Sequence, residues 1–494
     1  LDQKSFQGTM QRLAAPLRVA ARQTRAWKST SAAPLADGLR VNDVHIPDRN
    51  PAPELQYRDN STKEVSSSHW EPHWDRDSIK SYSDQHVMAT WAVTDNLKSV
   101  PNIVKGEGVY LYDENGKEYL DWTSQAVCSN LGHTVPEQVK AGIQAQLENI
   151  AFLYSGLGNC EVRVRLSKLL SELCPGDIDG FLFPSGGGEA NEAAIRMARR
   201  FTGKEKIFTQ YRSYHGGTTS SLAATGDFRR WFGESGASGH VKMFNPYPFH
   251  FDVGSTHEDV SANAVAMLEE QILMEGPQTI AAIMLESIVG AGGAFVHPPG
   301  YVQGVRALCD KYDILLILDE VMVGFGRTGK MWGYQHYEGV IPDIMTSAKG
   351  LTASFVPMAM VGVRSHIKEF FNTNPLGWGA TYHAHPVAMV CAYESIKYSL
   401  EQDIVNRVKA MEPVMLEEIQ KLIDNHPSVQ QGRGVGLFGC IDTINGEGRL
   451  TQKLQGPVTP RNAEFKKALA EEGVYGLLRL PLVHVAPPLI EEDQ

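Results

Sequence analysis

Lys349 stands thirty residues beyond Asp319, and each follows a short apolar run: Asp319 and Glu320 close "DILLILDE", and Lys349 ends "PDIMTSAK". A carboxylate on a hydrophobic strand can keep a heteroaromatic nitrogen protonated, and a lysine amine can form an imine with an aldehyde. Three more polar features fall at the ends of apolar runs. After "GFLFPS" come Gly186, Gly187 and Gly188, then Asn191 and the helical run "AAIRMARR"; glycines opening a helix leave backbone N–H groups to cradle a phosphate. After "KIFTQ" comes "YRSYHGGT", where Tyr214 offers a flat face for stacking beside His215 and two glycines. After "IAAIMLE", Glu286 opens a Gly-rich turn. Singly, each has a plain alternative as a tight turn, loop Tyr, strand-end acid or surface Lys. Jointly they suit one aromatic cation that carries both a phosphate and an aldehyde, which is pyridoxal phosphate.

A nucleotide-hydrolase reading competes at Gly324–Lys330, "GFGRTGK", which fits G-x-x-x-x-G-K. It fails at the next residue, where Met331 replaces the Ser or Thr hydroxyl that would ligate Mg²⁺. The stretch after it is rich in Gly and aromatics and does not promise a helix.

These residues need a scaffold that delivers strand ends to one place. From about 135 to 363, apolar runs at 180–183, 206–210, 240–244, 280–286, 313–320, 342–347 and 357–363 alternate with amphipathic stretches. That pattern predicts an α/β fold whose mainly parallel sheet is flanked by helices, with ligands beyond the carboxyl ends of the strands. Before it, "YLYDENGKEYLDW" alternates about Asn115-Gly116, a hairpin signal. After it come helices at 385–400 and 404–424 and strands at 433–443 and 474–486, so a smaller α+β domain is expected from both chain ends. The expected divisions are 1–36, a transit segment; 37–85, a loose arm; 86–134, the first part of the small domain; 135–376, the large domain; and 377–494, the rest of the small domain.

The 494 residues suffice for two or three domains, and a net charge of −11 argues against nucleic acid or an anionic membrane as the main partner. No apolar run is long enough for a membrane span. Six scattered cysteines read as buried free thiols in a reducing compartment, with no disulfide frame and no metal site. His69 and His73 stand four apart, but Pro72 between them breaks the helix they would need to share a metal. From Met10 to Ala36 the chain is Arg-rich, acid-free and amphipathic, the composition of an organelle transit peptide. The mitochondrial matrix is the expected destination, with plastid or cytoplasm as alternatives, and residues 1–9 are expected to lie upstream of the start Met.

From Trp91 onward the sequence resembles the class III aminotransferases of fold type I. "SGGGEANEAAIRMAR" resembles the family's phosphate segment S-G-S-E-A-N-E, "SYHGGT" its Y-H-G-x-T, and "LILDEVMVGFGRTGKMWG" its D-E-V-x-x-G-F-G-R-T-G. "SAKG" resembles the lysine segment and "GATYHAHPVA" the T-[YF]-x-x-H-P. The resemblance implies that Lys349 forms the imine with pyridoxal phosphate and that Asp319 pairs with the pyridine nitrogen. By it, Tyr214 and Val321 sandwich the ring, Gly187 and Gly188 bind the phosphate, and Glu286 supports the ring edge. Thr381 would reach the phosphate of a neighbouring subunit, which implies a homodimer. Gly186 and Gly188 stand where Ser is usual, and Met322 lines the cofactor where many members have Gln. The chain stops at "PPLIEEDQ" where relatives continue into a final helix, so a shortened end is expected.

The implied activity is transamination between an amino donor and a 2-oxo acid, with a decarboxylase, aminomutase or amino-phosphate lyase on the same scaffold, or a non-catalytic dimer, as alternatives. Arg479, eight residues before Pro487, resembles the substrate-binding arginine of taurine- and β-alanine-type members, and a guanidinium there would clamp a carboxylate or sulfonate. Ala291 stands where ornithine- and 4-aminobutyrate-type members carry a Glu that pairs with that arginine. Arg479 is therefore expected to serve both half-reactions, with a short ω-amino acid such as β-alanine or taurine as donor and pyruvate or 2-oxoglutarate as acceptor. "MATWAV" also resembles that subgroup, which places Trp91 at the pocket.

Overall fold

The computed structural model describes residues 74–91, 93–233, 238–246, 256–443, 460–479 and 481–490. The expected transit segment, His69 and His73 lie outside the described residues. The chain divides into two compact units, Arg25–Asn102 and the remainder.

In the smaller unit, the loose arm is corrected by a helix at Arg76–His86, where Asp75 caps the start by accepting from Ser78 N at 2.7 Å. This helix fully buries no residue, and its half-buried face is Ser78, Ile79, Tyr82 and Ser83, too polar to stand out as an apolar stripe. Trp91 lies in this unit, exposed and with φ 63°.

The larger unit is built on a seven-stranded sheet: β1 (Ile178–Leu182), β2 (Lys206–Gln210), β3 (His240–Met243), β4 (Ile280–Glu286), β5 (Leu315–Asp319), β6 (Ile344–Ser347) and β7 (Met360–Arg364). Their spatial order is β1-β7-β6-β5-β4-β2-β3, antiparallel only about β7. Successive residues of a strand face opposite ways, and both faces here are apolar. Leu315 and Ile317 pack with Ala190, Ala194 and Ala198 of the helix Gly187–Thr202. Leu316 and Leu318 pack on the other face with Val302, Val305 and Leu308 of the helix Tyr301–Tyr312. The alanines let the first helix lie close to the sheet, and Gly203, at φ 67°, ends it in the left-handed conformation.

Two smaller sheets use both chain ends. Ile103–Glu107, Tyr110–Asp113 and Glu118–Asp121 form an antiparallel meander, and Val474–Tyr475 adds in parallel beside the last strand. Val429–Val435, Phe438–Thr443, Leu482–Val485 and Leu478–Arg479 form the other. The helix Pro386–Glu401 packs against Glu137–Asn149 and Glu161–Leu173, and Ile404–Asn425 covers Val429–Val435. None of the six cysteines is disulfide-bonded. The expectation that all are buried is corrected, because Cys128, Cys160 and Cys174 are half-exposed.

Candidate active site

Three neighbouring strands deliver the central groups. Asp319 and Glu286 are register partners at the ends of β5 and β4, Thr346 of β6 stands opposite Asp319, and Lys349 follows two residues after β6. The Asp319 carboxylate is buried and fixed from three sides. Its Oδ2 accepts from His215 Nδ1 and Asn191 Nδ2, each at 2.8 Å, and its Oδ1 accepts from Val321 N at 2.9 Å. Asn191 is held in turn, donating to His215 O at 2.7 Å and accepting from Thr346 Oγ1 at 2.7 Å. Glu286 accepts from Tyr214 N at 2.9 Å and Gly290 N at 2.8 Å. Burial pushes its carboxyl up to about 7, with nearby His215 opposing and Asp319 adding.

Gly187 and Gly188 open a sixteen-residue helix, where the first N–H groups have no partner within the helix. The backbone is crowded from one side only. A Cβ on Gly187 would lie 2.9 Å from a Val321 methyl, and one on Gly216 would lie 2.5 Å from Gly188 Cα. Gly186 and Gly217 face open space. Two glycine turns thus interlock and expose backbone in a cradle, with Val321 against it and the fixed Asp319 carboxylate behind. His215 Nε2 is buried without a partner. A glycine cradle, a carboxylate held by His215, Asn191 and a backbone N–H, and a lysine close by fit a phosphorylated pyridine aldehyde.

Lys349 is half-buried and adopts φ 45°, a left-handed conformation that side-chain-bearing residues rarely take. Burial pushes its amine down to about 8; Cys128 opposes and the Arg479 guanidinium adds. Arg479 ends a two-residue strand paired with Leu482, and His484 of the same hairpin meets Gly290 O at 3.1 Å. Burial, with Arg229 adding, lowers the Arg479 guanidinium to about 10. Tyr214 carries the Arg229 guanidinium over its ring, 3.5 Å from the centroid. Met322 packs its thioether on Gly290, whose Cβ would lie 2.1 Å from the sulfur. Ala291 is buried in the turn between Ile288–Val289 and Phe295–Val296.

The larger unit therefore brings Asp319, Glu286, Lys349, Tyr214, Val321, Met322 and the two glycines to one edge of the sheet. Thr381 stands exposed in a turn before the helix Pro386–Glu401, and Trp91 belongs to the other unit. Sequence reasoning left His215, Asn191, Asp227 and Arg229 without roles. His215 adjoins Tyr214 and Asn191 lies one turn from Gly187, so their positions were visible while their partner, more than 100 residues away, was not. The phosphate-loop lookalike is structural. Arg327 is fully buried, and Lys330 donates to the nearby Gln335 O at 2.6 Å.

A doubly covered α/β sheet with this cradle, carboxylate and lysine defines a pyridoxal-phosphate enzyme of fold type I. The Aminotransferase class-III family model matches residues 93–494. The putrescine–pyruvate aminotransferase of Pseudomonas aeruginosa is 34% identical over 359 residues, 71% of this chain and 78% of that protein. The mitochondrial gamma-aminobutyrate transaminase 1 of Oryza sativa subsp. japonica is 34% identical over 375 residues, 71% of this chain and 70% of that protein. Among solved structures, taurine:2-oxoglutarate aminotransferase from Bifidobacterium kashiwanohense, in complex with PLP and glutamate, superposes with a TM-score of 0.79. It is 37% identical and covers 86% of this chain and 95% of its own. The chain belongs to the class III aminotransferases. It is a pyridoxal-phosphate-dependent enzyme that transfers an amino group between a donor and a 2-oxo acid.

Proposed function

We propose that the donor is a short ω-amino acid such as β-alanine or taurine, with pyruvate or 2-oxoglutarate as acceptor. The carrying observation is Arg479. Its side chain is 23% exposed, its Nη1 is buried without a hydrogen-bond partner, and Ala291 supplies no carboxylate. A guanidinium with an unsatisfied N–H accepts the carboxylate or sulfonate end of donor and acceptor in turn. The taurine relative, whose donor carries a terminal amine and an acid group two carbons away, supports that class.

Bound pyridoxal phosphate supplies an aldehyde for the amine and an electron-withdrawing ring. In this reading Gly187 and Gly188 hold its phosphate by backbone N–H groups, Tyr214 and Val321 fix the ring plane, and Met322 packs at its edge. Asp319, oriented by His215 and Asn191, keeps a proton on the ring nitrogen. Glu286 would support the ring edge. The Lys349 amine, already lowered toward neutrality, takes a proton from the donor carbon bearing nitrogen and returns it elsewhere in the cycle.

Arg479→Ala tests the substrate assignment. KM for 2-oxoglutarate and for β-alanine should rise by roughly 2–5 kcal/mol in binding terms, and an uncharged amine donor should lose much less. Equal losses for both donors would remove Arg479 from the site.

The assembly proposed is a homodimer in which Thr381 reaches the neighbouring subunit's phosphate. Trp91 is proposed to line the pocket. Residues 10–36 are proposed to direct the chain to the mitochondrial matrix, which a fluorescent fusion of that segment would check. No helix of the described residues is long and apolar enough to cross a membrane.

A further inference from the structure

Beside Arg479 lies a second arginine and one carboxylate between them. Asp227 is buried, its side chain 2% exposed, and it ends the turn after the helix Thr219–Ala224. Both of its oxygens are taken by Arg229: Nε donates to Oδ1 at 3.0 Å and to Oδ2 at 2.9 Å, and Nη2 also contacts Oδ2. Oδ1 further accepts from Arg229 N at 3.0 Å, capping the short helix Phe228–Phe232. Arg479 Nη1 stops 4.0 Å from Asp227 Oδ2, beyond hydrogen-bonding distance, and makes no hydrogen bond. Arg229 cannot swing away cheaply, because its guanidinium is stacked on Tyr214. Two cations thus share one anion, and the pair that is closed is Arg229–Asp227, not Arg479–Asp227.

We infer that Arg229 determines specificity by holding Asp227 in a closed pair, which keeps that carboxylate from capping Arg479 and leaves Arg479 open to the acid group of donor and acceptor. This rests on Arg479 being the substrate arginine. The carboxylates acting on Arg479 are Asp227 and, more weakly, Glu286. With Ala291 in place of an acid, Asp227 is, among the described residues, the carboxylate within ion-pair reach of Arg479, and Arg229 decides whether it competes with a substrate carboxylate. Arg229 and Asp227 are positioning residues that act through Arg479.

The test uses the holoenzyme and propionate, a carboxylate with no amine or oxo group, titrated by calorimetry, together with KM and kcat for β-alanine and for an uncharged amine. Arg229→Gln releases Asp227 onto Arg479. Propionate should bind about tenfold more weakly and KM for β-alanine should rise likewise, while KM for the uncharged amine should rise much less. Arg229→Lys, which retains a cation for Asp227, should restore most of the affinity. Asp227→Asn removes the competitor and should tighten propionate by about threefold or more, a direction that mere loss of packing would not give. The double variant should lose the Arg229→Gln defect. Unchanged or weaker propionate binding in Asp227→Asn, with Arg479→Ala abolishing it, would overturn the inference while leaving Arg479 in place. Undiminished binding in Arg479→Ala would overturn both.

Discussion

The buried Asp319 carboxylate receives three hydrogen bonds, from His215, Asn191 and Val321, and none comes from a charged arginine or lysine. The proposed role, keeping a proton on the cofactor's ring nitrogen, rests on that negative charge held in place by these donors. Asp319→Asn keeps the shape and removes that charge, so turnover should fall by several orders of magnitude. A loss under about tenfold, or 1.4 kcal/mol of barrier, would contradict the role. Lys349 gives a second test, with a worked sign. Its amine is lowered from the ordinary lysine value to about 8, so it is protonated and inert below that pH and becomes a free nucleophile above it. Uptake of pyridoxal phosphate by the cofactor-free protein should accelerate as pH rises through about 8 and then level off. A rate still climbing steeply toward pH 10 would show an unperturbed lysine. Borohydride should fix the cofactor's mass to the wild-type chain and not to Lys349→Ala, read by intact mass. Asp319 and Lys349 could be singled out in the sequence because strand ends collect ligands. Arg229 and Asp227 could not, since a two-residue acid–base pair in a loop is usually a surface feature, and only folding shows this one to be buried.

At the scale of elements, the loop Gly324–Lys330 joins the site strand β5 to the smaller sheets through Arg327. This guanidinium is fully buried. It donates to Leu437 O at 3.1 Å, Pro487 O at 2.5 Å, Ser124 Oγ at 3.0 Å and Asn130 Oδ1 at 3.0 Å. Burial lowers it to about 9, yet it stays charged at neutral pH. Arg327→Leu would strand several buried acceptors, each costing about 1–3 kcal/mol. We expect a loss of roughly 3–5 kcal/mol in urea unfolding, and a loss below about 1 kcal/mol would show that the loop closes without it. The central strands of the sheet were legible because both their faces are apolar, so Ile280–Glu286 and Leu315–Asp319 read as near-continuous hydrophobic runs. The 433–443 run was legible only as strand, not as the hairpin Val429–Val435 with Phe438–Thr443, whose turn depends on Gly436 at φ 59°. The helix Arg76–His86 was missed because its half-buried face, Ser78, Ile79, Tyr82 and Ser83, is mostly polar.

At the scale of the molecule, one surface exposes a cluster of large apolar side chains that suits the proposed dimer. Ile150, Phe152, Tyr154 and Leu157 are 39–80% exposed on the segment after the helix Glu137–Asn149. Phe152 packs edge-on to Tyr382, with centroids 5.8 Å apart, and Tyr382 is itself 65% exposed. Thr381 adjoins it. An apolar patch of this kind on a folded chain marks a partner surface, and a stable pairing buries about 800 Å² on each side. A second copy seated there would cover the aromatics and bring Thr381 toward the other subunit's glycine cradle, which couples assembly to cofactor binding. The wild-type protein should therefore sediment at twice the mass of its chain. Phe152→Glu combined with Tyr382→Glu places charge in the covered patch, so it should sediment as a single chain and bind pyridoxal phosphate more weakly. Thr381→Ala alone should stay dimeric and still lose cofactor affinity, because it removes a phosphate contact and leaves the patch intact. A double-Glu variant that remains dimeric would place the interface elsewhere. A Thr381→Ala dimer with undiminished cofactor affinity would show that each subunit holds its phosphate without help from the other.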